Sequence, residues 1–189
     1  MGNILKKLTG VLPIGIAEVG DHVQFGAFAW QVIAIENGKK LLLSKDCMQM
    51  DMEWELRDED SNASIEDMLA DILAESTLDY AEEYNGFKEY FKEWFCQKYF
   101  SEEDMAKIIP HNADEFVFLL SKEEVEKYIP RKEDRIASME TIINPVTRPW
   151  LLRVDGYTDY EVAVCSDGEI ERVPEGQLCD KFRPAVWIK

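Results

Sequence analysis

Trp150-Leu151-Leu152-Arg153 is followed by Asp155-Gly156 and Asp167-Gly168, and the sequence closes on Lys181-Phe182-Arg183-Pro184-Ala185-Val186-Trp187-Ile188. Two apolar runs, each with one embedded arginine, are separated by two Asp-Gly turn signals. This pattern predicts strands joined by hairpins in a β-rich C-terminal half. Strands are expected at 150–154, 161–165, 170–173 and 184–188, with the arginines paired to buried carbonyls or acids and Trp150 and Trp187 in the core.

Working outward, residues 29–35 and 40–44 flank Asn37-Gly38, a two-residue hairpin signal, because both turn residues tolerate positive φ. Residues 116–120, Phe-Val-Phe-Leu-Leu, form a continuous apolar run that predicts a buried strand. Between these halves the period changes. Ile65, Met68, Leu69, Ile72 and Leu73 recur at helical spacing behind an N-cap at Ser64. Phe87, Tyr90, Phe91, Trp94, Phe95 and Tyr99 mark a second helix over 86–99, and rings at that spacing belong to a core before they belong to a binding platform. Ser101 with Asp104, and Ser121 with Glu124, carry the capping pattern of two short helices that stop at Pro110 and Pro130. The expected architecture is α+β: a leading segment over 1–18, then a single domain over 19–189. That domain is a twisted antiparallel sheet with inserted helices and an acidic helical insertion at about 51–110.

Length and composition agree with this. The chain has 189 residues, 46% of them hydrophobic, and no run reaches the roughly 20 apolar residues of a membrane helix. Met1 to Ala17 imitates a secretion signal, but Gly10, Pro13 and Gly15 interrupt the apolar run and Lys6 and Lys7 fall after Ile4 and Leu5. Gly2 invites a myristoylation reading, yet Lys6 stands where that motif wants Ser or Thr. Cys47, Cys96, Cys165 and Cys179 show no C-x-x-C spacing and no neighbouring histidine. Cys47 and Cys96 sit among apolar residues as core thiols, and a cytoplasmic, soluble protein with reduced cysteines is expected; a Cys165–Cys179 disulfide is the alternative if the chain is exported. The two histidines, His22 and His111, give a metal site or a Ser-His-Asp triad little to build on. No metal, cofactor or catalytic residue is assigned.

The formal net charge is −17, and between Asp51 and Glu83 there are 13 acids against one base, Arg57. Nucleic acid and anionic membrane surfaces are repelled by such a face. It is either a solvated surface or a docking face for a basic protein.

The ordered motifs resemble a family of uncharacterised bacterial domains whose C-terminal signature runs W-W-L-R-S-P-G, then N-x-D-G, then V-R-P-A-L-W-I. Gly20-Asp21-His22-Val23-Gln24-Phe25-Gly26 leading to Trp30-Gln31-Val32 is similar to that family's opening strands, and Leu41-Leu42-Leu43-Ser44-Lys45 to its L-L-L-S-K. Phe116-Val117-Phe118-Leu119-Leu120-Ser121 with Glu123-Glu124-Val125-Glu126-Lys127-Tyr128 is similar to V-F-L-L-S-x-E-E-A-x-K-Y. The resemblance implies a C-type-lectin-like domain, distantly similar to formylglycine-generating enzymes. The chain departs from the signature at Trp150-Leu151 and Val154-Asp155-Gly156. It has neither the close cysteine pair of those enzymes nor the calcium-binding triplets of sugar-binding lectins. The resemblance therefore speaks to fold rather than to chemistry.

The function expected is a non-catalytic binding domain that engages a protein through its C-terminal strands and loops. Its candidate residues are Asp155, Tyr157, Asp159, Tyr160, Glu169, Glu171 and Arg172. Tyrosines give contact area at low entropy cost, and the charges around them set specificity. A small-ligand or glycan binder of lectin type, or a divergent relative of the formylglycine-forming oxidases, are the alternatives.

Overall fold

The computed structural model describes residues 11–49, 87–113, 115–139, 146–154, 160–174 and 181–189. The expected helix after Ser64, the acidic run over 51–83, and Asp155, Tyr157, Asp159 and Cys179 lie outside the described residues.

The described residues mix α and β structure, with strands dominant. The first four strands are β1 (His22–Phe25), β2 (Phe28–Glu36), β3 (Lys39–Ser44) and β4 (Met48–Gln49). A π-helical stretch over Tyr90–Phe95 continues as α1 (Cys96–Tyr99), and α2 (Glu102–Met105) leads to β5 (Ile108–Ile109). Next come α3 (Lys122–Tyr128), a 3-10 turn over Lys132–Arg135, β6 (Ala137–Met139), β7 (Val146–Arg148) and β8 (Trp150–Leu151). The last strands are β9 (Tyr160–Val164), β10 (Ile170–Pro174), β11 (Lys181–Phe182) and β12 (Ala185–Ile188).

These strands build two five-stranded sheets, in the orders β1-β2-β3-β12-β5 and β10-β9-β8-β11-β4, and a β6-β7 ribbon. The expectation of one antiparallel sheet is corrected here. All pairings between strands are antiparallel except β11 with β8. The reason is local to two neighbouring crossings. After Ser44 the chain leaves the first sheet for β4 in the second, and after Phe182 it returns from β11 to β12 in the first. Arg183-Pro184 forms that return. Pro184 has no N–H to donate to a ladder, its carbonyl accepts from Ser44 N at 2.9 Å, and Arg183 ties the Ser44 carbonyl with Nε and Nη2.

β3 explains why Leu41-Leu42-Leu43 is continuous rather than alternating. All three are fully buried, Leu42 in one apolar cluster and Leu41 and Leu43 in another on the opposite face. A strand covered on both sides has no polar face. β2 meets the same demand with a bulge between Val32 and Ala34, which lets Ile33 and Ala34 both join the second cluster while Trp30 and Val32 stay in the first. The Asn37-Gly38 turn joining β2 to β3 has positive φ at both residues, 49° and 77°, as that hairpin requires.

The ring-rich helix is core, as its spacing predicts. Cys96 N–H donates to Phe91 O across a π turn, and the wider turn keeps Tyr90, Phe91 and Phe95 inward. Phe95 stacks on Phe28 at 5.6 Å, and Phe91 meets Phe182 edge-on at 5.6 Å, so this core joins β2 to β11. Residues 116–120 are not a ladder strand. They form a seam: Phe118 exchanges two hydrogen bonds with Ala185 of the first sheet, while Leu120 O accepts from Arg153 N beside the second. One partner on each side fastens the sheets together but extends neither.

Candidate functional site

Ser121 caps α3. Its hydroxyl accepts from Glu124 N at 3.3 Å, and Glu124 Oε2 accepts from Ser121 N at 2.7 Å, the reciprocal box that Ser-x-x-Glu predicts. The seam delivers this helix start against the end of β8 by a parallel bridge between Ser121 and Arg153. The β9-β10 hairpin closes the other side. Between them lies a cleft of about 350 Å³ lined by Ser121, Lys122, Glu123, Arg153, Val154, Tyr160, Val162, Ile170, Glu171 and Arg172.

Of the seven sequence-derived candidates, the four described ones divide. Tyr160, Glu171 and Arg172 line the cleft. The guanidinium of Arg172 lies 4.5 Å from the centre of the Tyr160 ring, a cation–π contact between diagonal neighbours of the hairpin. Glu169 stands apart at the hairpin turn, where it accepts a 2.9 Å hydrogen bond from Lys132 Nζ.

Arg153, which the sequence assigns to architecture, belongs to the cleft as well. Its side chain is 11% exposed, Nη2 donates to Glu124 Oε2 at 3.2 Å, and Nη1 lies 3.0 Å from His111 Nε2. A guanidinium only donates, so Nε2 is the acceptor in this contact and the imidazole carries its proton on Nδ1. The His111 ring is held flat against Phe118, with centroids 4.0 Å apart and 19° between planes. Glu123 at the lip has its carboxyl held below the usual range by its own backbone N–H, then by the Ser121 hydroxyl. The cleft thus joins three cationic side chains, Lys122, Arg153 and Arg172, and two carboxylates, Glu123 and Glu171, to an apolar wall of Val154, Val162 and Ile170. The capping box was a readable sign of Ser121, whereas no sequence signal links it to Arg153.

Among the described residues no group of three or more His, Cys, Asp or Glu is disposed to hold a metal ion, and no helix is long and apolar enough to cross a membrane. Cys47 and Cys96 are buried, and Cys165 is half-buried at the end of β9. Comparison with known proteins found no family model, no curated protein and no solved structure that matches this chain.

Proposed function

We propose that this chain is a non-catalytic binding domain that engages another protein through the face formed by the β9-β10 hairpin and the start of α3. One observation carries the reading: Tyr160, Glu171 and Arg172, candidates by composition alone, line a single open cleft with the cations Lys122 and Arg153. An aromatic ring under an arginine, beside apolar side chains, suits a protein contact. The net charge of −17 favours a partner that is basic overall, because complementary charge speeds encounter and rejects wrong partners. The fold we propose is C-type-lectin-like, on the strength of the C-terminal motifs and the mixed, mostly antiparallel strands. A cytoplasmic location is the corresponding expectation for its cysteines.

The test is capture from native-source lysate at low and high salt, with the wild-type chain and with a Tyr160→Ala/Arg172→Ala variant as baits. A protein held by the wild type, released by salt and not held by the variant supports the reading. Capture that is indifferent to both substitutions sinks it. A second reading, a small-ligand binder, is favoured by the cleft volume alone, which falls within the range of small-molecule sites.

A further inference from the structure

Among the described residues, β10 is the terminal strand of the second sheet and pairs only with β9. The hairpin turn sets which of its main-chain groups face inward. Cys165 N donates to Glu169 O at 2.7 Å, and Gly168 N to Cys165 O at 2.9 Å. In an antiparallel pair the bonded positions alternate along the strand. From that starting pair, Glu171 and Val173 turn their N–H and C=O groups toward Ala163 and Glu161, whereas Ile170 and Arg172 present theirs to the open edge. Pro174 has the same parity as Ile170 and Arg172, so the residue lacking an N–H stands where that N–H would point away from the ladder.

Side chains alternate across the sheet, so Ile170 and Arg172 share a face with Tyr160 and Val162, and that face lines the cleft. Edge and cleft therefore adjoin. A strand laid against Ile170–Arg172 forms main-chain bonds at the edge and sends an alternate side chain into the cleft. Arg172 states the charge of that side chain. Among the described residues it makes no ion pair and no hydrogen bond, only the ring contact with Tyr160, in a chain with 38 acids to 21 bases. The ring contact, 4.5 Å from guanidinium carbon to ring centre, holds the cation at the cleft, and its N–H groups offer the fork geometry that a carboxylate matches. Lys122 and Arg153 line the same cleft with Glu123 and Glu171, but Lys122 is paired with Glu126 and Arg153 with Glu124, so Arg172 is the cation there that still lacks a carboxylate among the described residues.

We propose that the open edge of β10 accepts an extended segment of a partner protein as an added strand, and that Arg172 receives a carboxylate side chain of that segment in the cleft. The inference rests on the protein-binding reading of this face. It concerns one residue of the partner and is independent of the partner's net charge. Pro174 ends the added strand, because it is the next outward position after Arg172 and has no N–H to donate.

The test uses the full chain, labelled with nitrogen-15, and two blocked pentapeptides: acetyl-Thr-Val-Glu-Val-Thr-amide and its counterpart with lysine in place of glutamate. The glutamate peptide is expected to shift the Ile170 and Arg172 amides saturably, to slow their hydrogen exchange, and to bind about tenfold more tightly than the lysine peptide. Arg172→Gln is expected to erase that preference. Ile170→Pro removes an outward N–H without touching the ladder and is expected to weaken the glutamate peptide about tenfold relative to Ile170→Ala, which matches the loss of its packed side chain. Should that variant unfold, the exchange rates and Arg172→Gln decide the matter. Equal affinity for the two peptides, or shifts confined to other residues, overturns the added strand. A protein captured through Tyr160 and Arg172, with no peptide effect at Ile170 and Arg172, overturns this inference alone. Capture indifferent to those side chains overturns the protein-binding reading beneath it.

Discussion

The guanidinium of Arg183 donates twice to one oxygen, the main-chain carbonyl of Ser44, from Nε at 2.8 Å and from Nη2 at 2.6 Å. The two residues stand at the points where the chain changes sheets, and the side chain is 2% exposed, with its charge 5.1 Å from the centre of the Trp150 ring. Burial pushes the guanidinium down to about 10, so it remains charged at neutral pH. Arg183→Met keeps an unbranched apolar stem but strips both donors from a buried carbonyl. We expect a loss of about 2–4 kcal/mol in urea unfolding. A variant within about 1 kcal/mol of wild type would mean that the crossing is held by Pro184 and the apolar packing instead.

Gly168 stands at φ 86° in the β9-β10 turn, and a Cβ there would collide with the carbonyl of Lys132. Gly38, at φ 77°, has open space around it. Both glycine-to-alanine changes carry the left-handed backbone cost of about 1–2 kcal/mol, but only Gly168→Ala must also push the 3-10 turn off the hairpin. Gly168→Ala is therefore expected to cost about 2–4 kcal/mol and Gly38→Ala about 1–2 kcal/mol. Equal losses in chemical denaturation would show that the hairpin moves freely relative to Lys132.

Burial, with help from the nearby charge of Lys45, holds the His22 imidazole below its ordinary value of 6.5, against the opposing pull of Asp21 and Asp46. The unfolded chain then takes up the proton first as pH falls. Stability from this residue is complete above 6.5 and declines as pH drops from 6.5 through the lower folded-state value. His22→Gln is expected to flatten that decline in thermal midpoints recorded at pH 8, 6.5 and 5.5 at constant ionic strength. Parallel curves for wild type and variant would assign the acid sensitivity to other groups.

Burial pushes the Cys96 thiol up to about 12, far from its thiolate form at neutral pH. Only the thiolate is nucleophilic. In the native protein at pH 8, Cys96 is expected to stay unmodified by iodoacetamide while the half-buried Cys165 is labelled, with peptide mass mapping as the readout. Denaturant should expose Cys96 to full labelling. Prompt native labelling of Cys96 would mean that the aromatic core around the π turn opens readily.

The contact between Arg153 and His111 predicts a tautomer. With Nε2 accepting from the guanidinium, the proton resides on Nδ1. Long-range nitrogen-15 correlation spectra at pH 8 should show a protonated Nδ1 and a bare Nε2, and Arg153→Met should release His111 toward the mixture of tautomers seen in open solvent. An Nε2–H signal in the wild type would break this contact.

What was legible in the chain was what neighbours in sequence decide. Asn37-Gly38 turns, Ser101 and Ser121 close capping boxes, Phe87, Tyr90, Phe91 and Phe95 go inward and Gly168 turns the last hairpin. Each depends on the torsions, hydrogen bonds or periodicity of a few consecutive residues. The β6-β7 ribbon and the division into two sheets were not legible, because a strand's partners are chosen by contacts between distant segments. The seam over 116–120 has the same apolar composition as a ladder strand, and only its lone partners on either side make it a fastening.

The two embedded arginines show where that boundary runs. Arg153 and Arg183 each interrupt an apolar run near a strand end, and their local sequences predict one role, an arginine satisfied inside the fold. The sequence by itself determined that both would need partners, because a guanidinium without them is costly to bury. The tertiary structure decided the rest. Arg183 is enclosed where both sheet crossings meet, whereas Arg153 lines a cleft because Ser121, His111 and the β9-β10 hairpin converge there from remote parts of the chain. Such convergence is set by how the sheets and α3 pack, and no stretch of neighbouring residues encodes it.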